Sequence, residues 1–284
     1  MLDAGCETLR LLGYKTVYSP SIFEQELYFA GGEERRVQEL EGMFADPKVR
    51  AIVCARGGYG ANYLLSRIDP RKIKSHPKIF VGYSDITSLL TYITDATGLV
   101  TFHGPMVTKD FARPEGVDII SWENAVTGVS SWAIATGSDS GVQPLVEGNA
   151  EGILYGGCLS MLSASLGTPY GIQTDDAILF IEDVATKPYQ IDRMLMQLKL
   201  AGKLEKIRGI MFGEMLECTQ KKDQDYTLQE VLLGVLAPLG IPIAYGLRSG
   251  HVSRRNVTLP LGVRAALRVS SKDVSFEILE AATT

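Results

Sequence analysis

"IFVGYSDITSLLTYITDATG", residues 79–98, decides how the chain is read. Ile79, Phe80 and Val81 form an unbroken apolar run, as a strand buried on both faces requires. Gly82 stops the run, and after Asp85 the residues read as a helix. The string is therefore strand, turn and helix, with Ser84 at the turn. Two readings of Ser84 stay open at this level. Its hydroxyl could cap the helix by accepting from a backbone N–H two or three residues on. Alternatively, a sharp strand-to-helix turn could hold Oγ at the sheet's edge as a nucleophile, with backbone N–H groups nearby for an oxyanion. The usual elbow pattern is G-x-S-x-G, and Ile86 stands where its second glycine would be.

The same rhythm extends on both sides. "VRAIVCARGGYG" (49–60) is a strand over Ala51–Ala55 running into the glycine-rich turn Arg56–Gly60. That turn could cradle a phosphate or approach a substrate carbonyl or carboxylate, but it lacks the G-K-[ST] ending and the full G-x-G-x-x-G spacing. "GGEERRVQELEGMFAD" (31–46) has Val37, Leu40 and Phe44 at helical spacing and acids in its first turn. "KTVYSP" (15–20) reads as a strand and its exit, and "LVTFHGP" (99–105) as another short strand. Alternating strands and helices imply an α/β layer with a parallel sheet. Such a layer normally begins with a strand, whereas Leu9, Leu11 and Leu12 belong to an opening helix, so a first strand is expected to be missing.

The pattern changes in "SWAIATGSDSGVQPLVEGNAEGILYGG" (131–157), which is short-stranded and rich in Gly and Ser. A linker is expected at 136–149, between an N-terminal domain, 1–135, and a C-terminal domain, 150–284. Beyond it, Ala177–Ile181 read as a strand that ends in Glu182. Thr186 is the expected cap of a helix with Pro188 in its first turn and Ile191, Met194, Leu195 and Leu198 on its buried face. "IRGIMFGE" (207–214) is a strand and Leu228–Leu236 a helix. "ALRVSS" (266–271) and "VSFEILE" (274–280) close the chain in β-like pieces.

Composition excludes several classes. A net charge of -5 over 284 residues gives no nucleic-acid footprint. No apolar run reaches membrane-spanning length, and the first residues lack the basic head and apolar stretch of a signal peptide. Cys6, Cys54, Cys158 and Cys218 are scattered without C-x-x-C spacing. There is no H-E-x-x-H and no EF-hand loop. No metal, cofactor, nucleic-acid or membrane partner is expected.

The candidates for acid–base chemistry are few. Glu182 ends an apolar strand, where α/β sites gather, and Asp183 beside it competes for the same role. The histidines are His76, His103 and His251. His76 lies in a polar loop and is expected to face solvent. His103 follows a strand and is placed to line a cleft, while His251 lies in a Gly-Ser loop flanked by arginines. Nothing in the residues themselves chooses between His103 and His251.

Six strings, in this order, resemble the LD-carboxypeptidases, serine peptidases of murein recycling, and their microcin C immunity cousins. They are "CARGGYGA" (54–61), "FVGYSDITSLL" (80–90), "TFHGPM" (101–106), "GGCLSMLSASLGTPY" (156–170), "LFIEDVATKPYQIDRMLMQL" (179–198) and "GHVSRRNVTLPLG" (250–262). The resemblance implies an N-terminal flavodoxin-like or Rossmann-like parallel-sheet domain that carries the nucleophile. It also implies a C-terminal domain with a small β-barrel-like core that carries the acid and base. By the same resemblance the triad is Ser84, Glu182 and His251, which selects Glu182 over Asp183 and His251 over His103. The oxyanion would meet the backbone N–H of Asp85 and one from Gly58 or Tyr59. Arg56, Gly57, His103 and Asn256 are the expected substrate-binding residues. The implied reaction is hydrolysis of an L,D-peptide bond, releasing terminal D-alanine from cytoplasmic murein tetrapeptides, by a homodimer. Two alternatives are an immunity-type peptidase cleaving a peptidyl or aminoacyl nucleotide conjugate and a non-catalytic anion or peptide binder. An α/β-hydrolase esterase is disfavoured by the missing elbow glycine.

Overall fold

The structure, a computed structural model, describes residues 1–137 and 140–283; two positions of the expected linker, and residue 284, lie outside them. In chain order the elements are α1 (Leu2–Leu11), α2 (Glu33–Ala45), β1 (Ala51–Val53), α3 (Asn62–Leu65), α4 (Pro70–Ser75), β2 (Ile79–Gly82), α5 (Thr87–Thr97), β3 (Thr101–His103), α6 (Ile119–Val126), β4 (Trp132–Ile134) and β5 (Gln143–Val146). They continue with β6 (Gly148–Cys158), α7 (Leu159–Ala164), β7 (Ala177–Glu182), α8 (Pro188–Leu200), β8 (Gly209–Gly213), α9 (Leu228–Leu236), β9 (Ile243–Leu247), β10 (Leu259–Leu261), β11 (Arg264–Val269) and β12 (Val274–Ile278).

Two sheets organise these elements. The smaller has the order β1-β2-β3-β10: its first three strands are parallel, and β10 pairs antiparallel with β3. The larger has the order β4-β12-β11-β6-β7-β8-β9-β5, with β6 to β9 parallel and antiparallel strands on both flanks. The β-rich core of the second half is this mixed sheet. Segment 136–149 contributes β5 to one of its edges, and β4 pairs with β12 at the other.

Strand β7 shows how packing joins the halves. Successive side chains of a strand point to opposite faces. Leu179 and Ile181 enter a core with Ile191, Leu195 and Leu198 of α8 and Leu232 of α9. Ile178 and Phe180 enter a second core that also holds Phe80, Leu90 and Phe102 of the small sheet and α5. One face of the large sheet is thus covered by helices, and the other shares its apolar interior with the small sheet. This explains why the run 177–181 is apolar at every position.

Two local expectations fail. Residues 15–20 form no strand: Val17 is 64% exposed, and no neighbouring strand pairs with it. A β-branched residue does not hold a strand without a ladder or a face to bury. Helix α8 starts after Lys187, whose N–H donates to Gln190 Oε1 at 3.0 Å; the Thr186 hydroxyl donates instead to Asp183 Oδ1 at 2.8 Å. Among the described residues no helix is long and apolar enough to cross a membrane.

Candidate active site

Strands β2 and β3 of the small sheet and β6, β7 and β8 of the large one end close to one another. Their C-terminal edges carry Tyr83–Ser84, His103, Cys158, Glu182 and Gly213, and open α/β sheets gather their sites at such edges. The Ser84 turn follows β2 directly. Ser84 has φ +64°, in the left-handed region that side chains with a Cβ adopt at a cost of about 1–2 kcal/mol. Its hydroxyl caps nothing: α5 begins at Thr87, with Ile86 as its N-cap and no side-chain cap bond.

Strain at Ser84 is maintained by its neighbours. A Cβ added to Gly57 would lie 2.7 Å from Ser84 Cβ and 3.0 Å from Oγ, so the glycine turn packs its backbone directly on the serine. Asp85 holds that turn in place. Its buried carboxylate accepts the Ala61 N–H at 2.7 Å and is also bonded by the Gly60 N–H. Burial raises the Asp85 pKa, and these backbone bonds and the Arg36 guanidinium oppose the rise. The side chain of Asp85 therefore ties the two glycine-rich strings together, a role that sequence reasoning missed.

Glu182, the last residue of β7, is fully buried. Its Oε2 accepts the His251 backbone N–H at 3.0 Å and lies 2.8 Å from His251 Nδ1. Burial alone pushes the Glu182 carboxyl up, but His103 and His251 outweigh it and hold it at about 2. With a hydrogen on Nδ1 facing the carboxylate, neutral His251 presents a bare Nε2 on its other side. The His251 ring packs edge-on against Tyr83, the residue before Ser84, with centroids 5.1 Å apart.

The loop that carries His251 is anchored at both ends in different sheets: β9 lies in the large one, β10 in the small one. Gly250, at φ +91°, lets the loop pass over the acid; a Cβ there would come within 2.8 Å of Glu182 Oε2. Asn256 fixes the loop from inside, accepting the Gly250 N–H at 3.0 Å and donating to the Gly250 carbonyl at 3.1 Å.

Asp183 points elsewhere. It takes the N–H and hydroxyl of Ser160, the N–H of Val184 and the hydroxyl of Thr186, and so braces the starts of α7 and the 184–187 turn. Of the expected substrate-binding residues, Arg56 is exposed and Gly57 lies against Ser84. His103 and Asn256 do not meet that expectation, because both are fully buried. His103 lies behind Glu182 and Asn256 clamps the His251 loop. His76 is exposed, as expected. Among the described residues no group of three or more His, Cys, Asp or Glu could hold a metal ion.

Comparison with known proteins adds to this geometry. Residues 1–104 match the LD-carboxypeptidase N-terminal domain and residues 151–267 the LD-carboxypeptidase C-terminal domain. The "Probable murein peptide carboxypeptidase" of Bacillus subtilis is 39% identical, over 97% of this chain and 86% of its own. The chain belongs to the LD-carboxypeptidase family. Two solved structures of similar proteins share its fold. A muramoyltetrapeptide carboxypeptidase from Oxalobacter formigenes superimposes with a TM-score of 0.86 at 30% identity, covering 98% of this chain and 94% of that one. The microcin C7 self-immunity protein MccF, known from Escherichia coli, superimposes with a TM-score of 0.89 at 27% identity, covering 100% of this chain and 91% of that one. The mixed α/β architecture with a parallel N-terminal sheet is thus that of LD-carboxypeptidases.

Proposed function

We propose that this LD-carboxypeptidase is a serine hydrolase that cleaves an L,D-peptide bond and releases the terminal D-alanine of murein tetrapeptides in the cytoplasm. Ser84 is the nucleophile, His251 the base and Glu182 the acid. His251 takes the Ser84 proton through Nε2 while Glu182 holds Nδ1 and supports the imidazolium. The serine oxygen attacks the amide carbonyl, and the oxyanion lies against the backbone N–H of Asp85 and one from Gly58 or Tyr59. His251 then protonates the leaving amine, and water hydrolyses the acyl-enzyme. Arg56, exposed beside the glycine turn, supplies charge for the carboxylate of the leaving residue. In this reading the nucleophile belongs to an N-terminal unit and the acid and base to a C-terminal one, and the active form is a homodimer.

The observation that carries the reading is the Glu182–His251 pair at 2.8 Å, held beside a left-handed Ser84 turn. The test is incubation with a synthetic murein tetrapeptide and mass spectrometry of the products, with Ser84→Ala as control. Loss of one D-alanine, absent in the variant, is the expected result; an untouched tetrapeptide rejects the substrate. The likeness to MccF favours a second substrate class, because MccF has been solved with glutamyl sulfamoyl guanosine and aspartyl sulfamoyl adenosine. The same preparation, offered an aminoacyl nucleotide conjugate, decides between them: preference for the conjugate reassigns the substrate without changing the triad.

A further inference from the structure

Glu182 faces two histidines, and the mechanism above uses one. While Oε2 is occupied by His251, Oε1 has no hydrogen-bond partner. Facing it at 3.7 Å is Nε2 of His103, also without a hydrogen-bond partner, and both atoms are sealed from solvent. The other side of the His103 ring is already committed. Nδ1 lies 3.0 Å from Ser249 Oγ, and Ser249 Oγ donates to the Val257 carbonyl at 2.8 Å. A hydroxyl has one hydrogen to give. Since Ser249 gives it to a carbonyl, it accepts from His103, and Nδ1 carries a hydrogen.

The state of Nε2 follows from its surroundings. A bare Nε2 would aim a lone pair at a buried carboxylate oxygen, leaving two desolvated acceptors face to face. A hydrogen on Nε2 turns the same contact into a donor–acceptor pair and compensates a charge that no solvent reaches. The remaining walls offer no substitute donor. The Phe180 ring packs on His103 with centroids 5.0 Å apart and the Tyr83 ring at 5.9 Å, and a Cβ on Gly250 would come within 2.8 Å of His103 Cε1. The titratable and charged groups around the pair are His251, Tyr83, Asp183 beside Glu182, Cys218, and Cys158, which is paired in register with Glu182. Asp110 and Lys109 face Tyr83 in turn.

We propose that His103 is the positioning residue of Glu182: its Nδ1 donates to Ser249, its Nε2 carries a hydrogen that faces Oε1 across 3.7 Å, and this charge contact keeps Oε2 turned toward His251. The carboxylate is held at both oxygens and cannot rotate when His251 becomes charged. This inference rests on Ser84, His251 and Glu182 acting as a triad.

The first test is nitrogen NMR of the wild-type enzyme with 15N-labelled histidine. His103 is expected to show two protonated ring nitrogens at neutral pH, and a bare ring nitrogen would overturn the proposal. The second compares His103→Phe with His103→Gln by the rate at which a fluorophosphonate labels Ser84, a readout independent of the natural substrate, and by tetrapeptide kinetics. His103→Phe is expected to slow labelling and kcat about tenfold or more, the scale of a hydrogen bond to a charged group, with KM little changed. His103→Gln, which keeps an N–H donor, is expected to recover part of the loss. Wild-type labelling rates in His103→Phe, or no recovery in a folded His103→Gln, would overturn the proposal. If the wild type labels rapidly at Ser84 but leaves the tetrapeptide intact, the substrate reading fails and the labelling rates still decide the role of His103. If the wild type does not label at Ser84, the triad and this inference fall together.

Discussion

Ser84 and Glu182 occupy equivalent places in two sheets, each at the C-terminal end of a parallel strand, yet they are held in opposite ways. Ser84 is half-buried, follows a four-residue strand and sits in a strained backbone conformation. Glu182 is fully buried, ends an otherwise apolar strand and is held at Oε2 by the backbone N–H and ring of His251. In the proposed roles, Ser84 as nucleophile must reach its substrate, and a sharp turn exposes it at the expense of local strain. A supporting acid needs no access, so burial can fix it, provided that donors compensate its charge. If the two act together as proposed, the small sheet contributes backbone geometry to the site and the large one a charged interior.

The largest effect that could break this comparison is expected at the two side chains themselves. Under the proposed triad, Ser84→Ala and Glu182→Gln should each lower kcat by roughly 10⁴-fold or more, the first by removing the nucleophile and the second by releasing the imidazole from its required tautomer. Steady-state kinetics with circular dichroism separates this from unfolding, and a Glu182→Gln enzyme of near wild-type rate would break the assignment of the acid. The neighbouring carboxylate sharpens the point. Asp183→Asn should retain most activity while losing about 1–3 kcal/mol of stability in urea, because it leaves half-buried donors of the 160 and 184–186 turns poorly matched.

A third expectation concerns pH and contrasts the buried Glu182 with a carboxyl at the surface of α5. Glu182 is held at about 2. Asp95 on α5 is an exposed residue, but the atoms packed around its carboxyl desolvate it, the Tyr155 hydroxyl at 2.7 Å compensates only in part, and it is pushed up to about 6. Because the folded-state value of Glu182 lies below the ordinary 4.5, its contribution to stability is present above that pH and is lost on acidification toward 2. Asp95 has the opposite sign: its contribution is present below 3.8 and is lost as pH rises through about 6. Asp95→Asn should therefore gain stability relative to the wild type as pH is raised from 4 to about 7, by urea titration at each pH; a constant difference would show that Asp95 is not desolvated. The smallest effect tests the strain itself. Ser84→Gly should be inactive yet more stable than Ser84→Ala by about 1 kcal/mol, since glycine adopts a positive φ freely.

How much of this was legible in the sequence follows from the same contrast. The Ser84 turn is local: strand, glycine, serine and helix lie within ten residues, so the string alone raised the nucleophile reading. The element list was largely legible too, with Leu228–Leu236 and the strands around 101–103 and 274–278 appearing where periodicity put them. The interior of the site was not. His103, Glu182 and His251 come from three distant segments, and the pattern around each could not say which histidine sits against which oxygen. Family resemblance chose between them, but it did not show His103 behind the acid or Asn256 clamping a loop, because a polar residue near a cleft and one beneath it carry the same letters. The carboxylate of Asp85 was overlooked for a related reason: its partners, the N–H groups of Gly60 and Ala61, are backbone atoms that no residue type advertises. "KTVYSP" failed in the other direction, where strand-forming residues have no strand beside them.

Strand β10 completes the small sheet but is encoded after every parallel strand of the large one. As a ribosome releases the polypeptide, the edge of β3 lacks its β10 partner until residue 261 has emerged, and the loop bearing His251 has its second anchor only once that pairing exists. In the proposed triad, a nascent chain thus presents the serine turn before residue 251 has been made, and the base can join it only after every parallel strand of the large sheet has been synthesised.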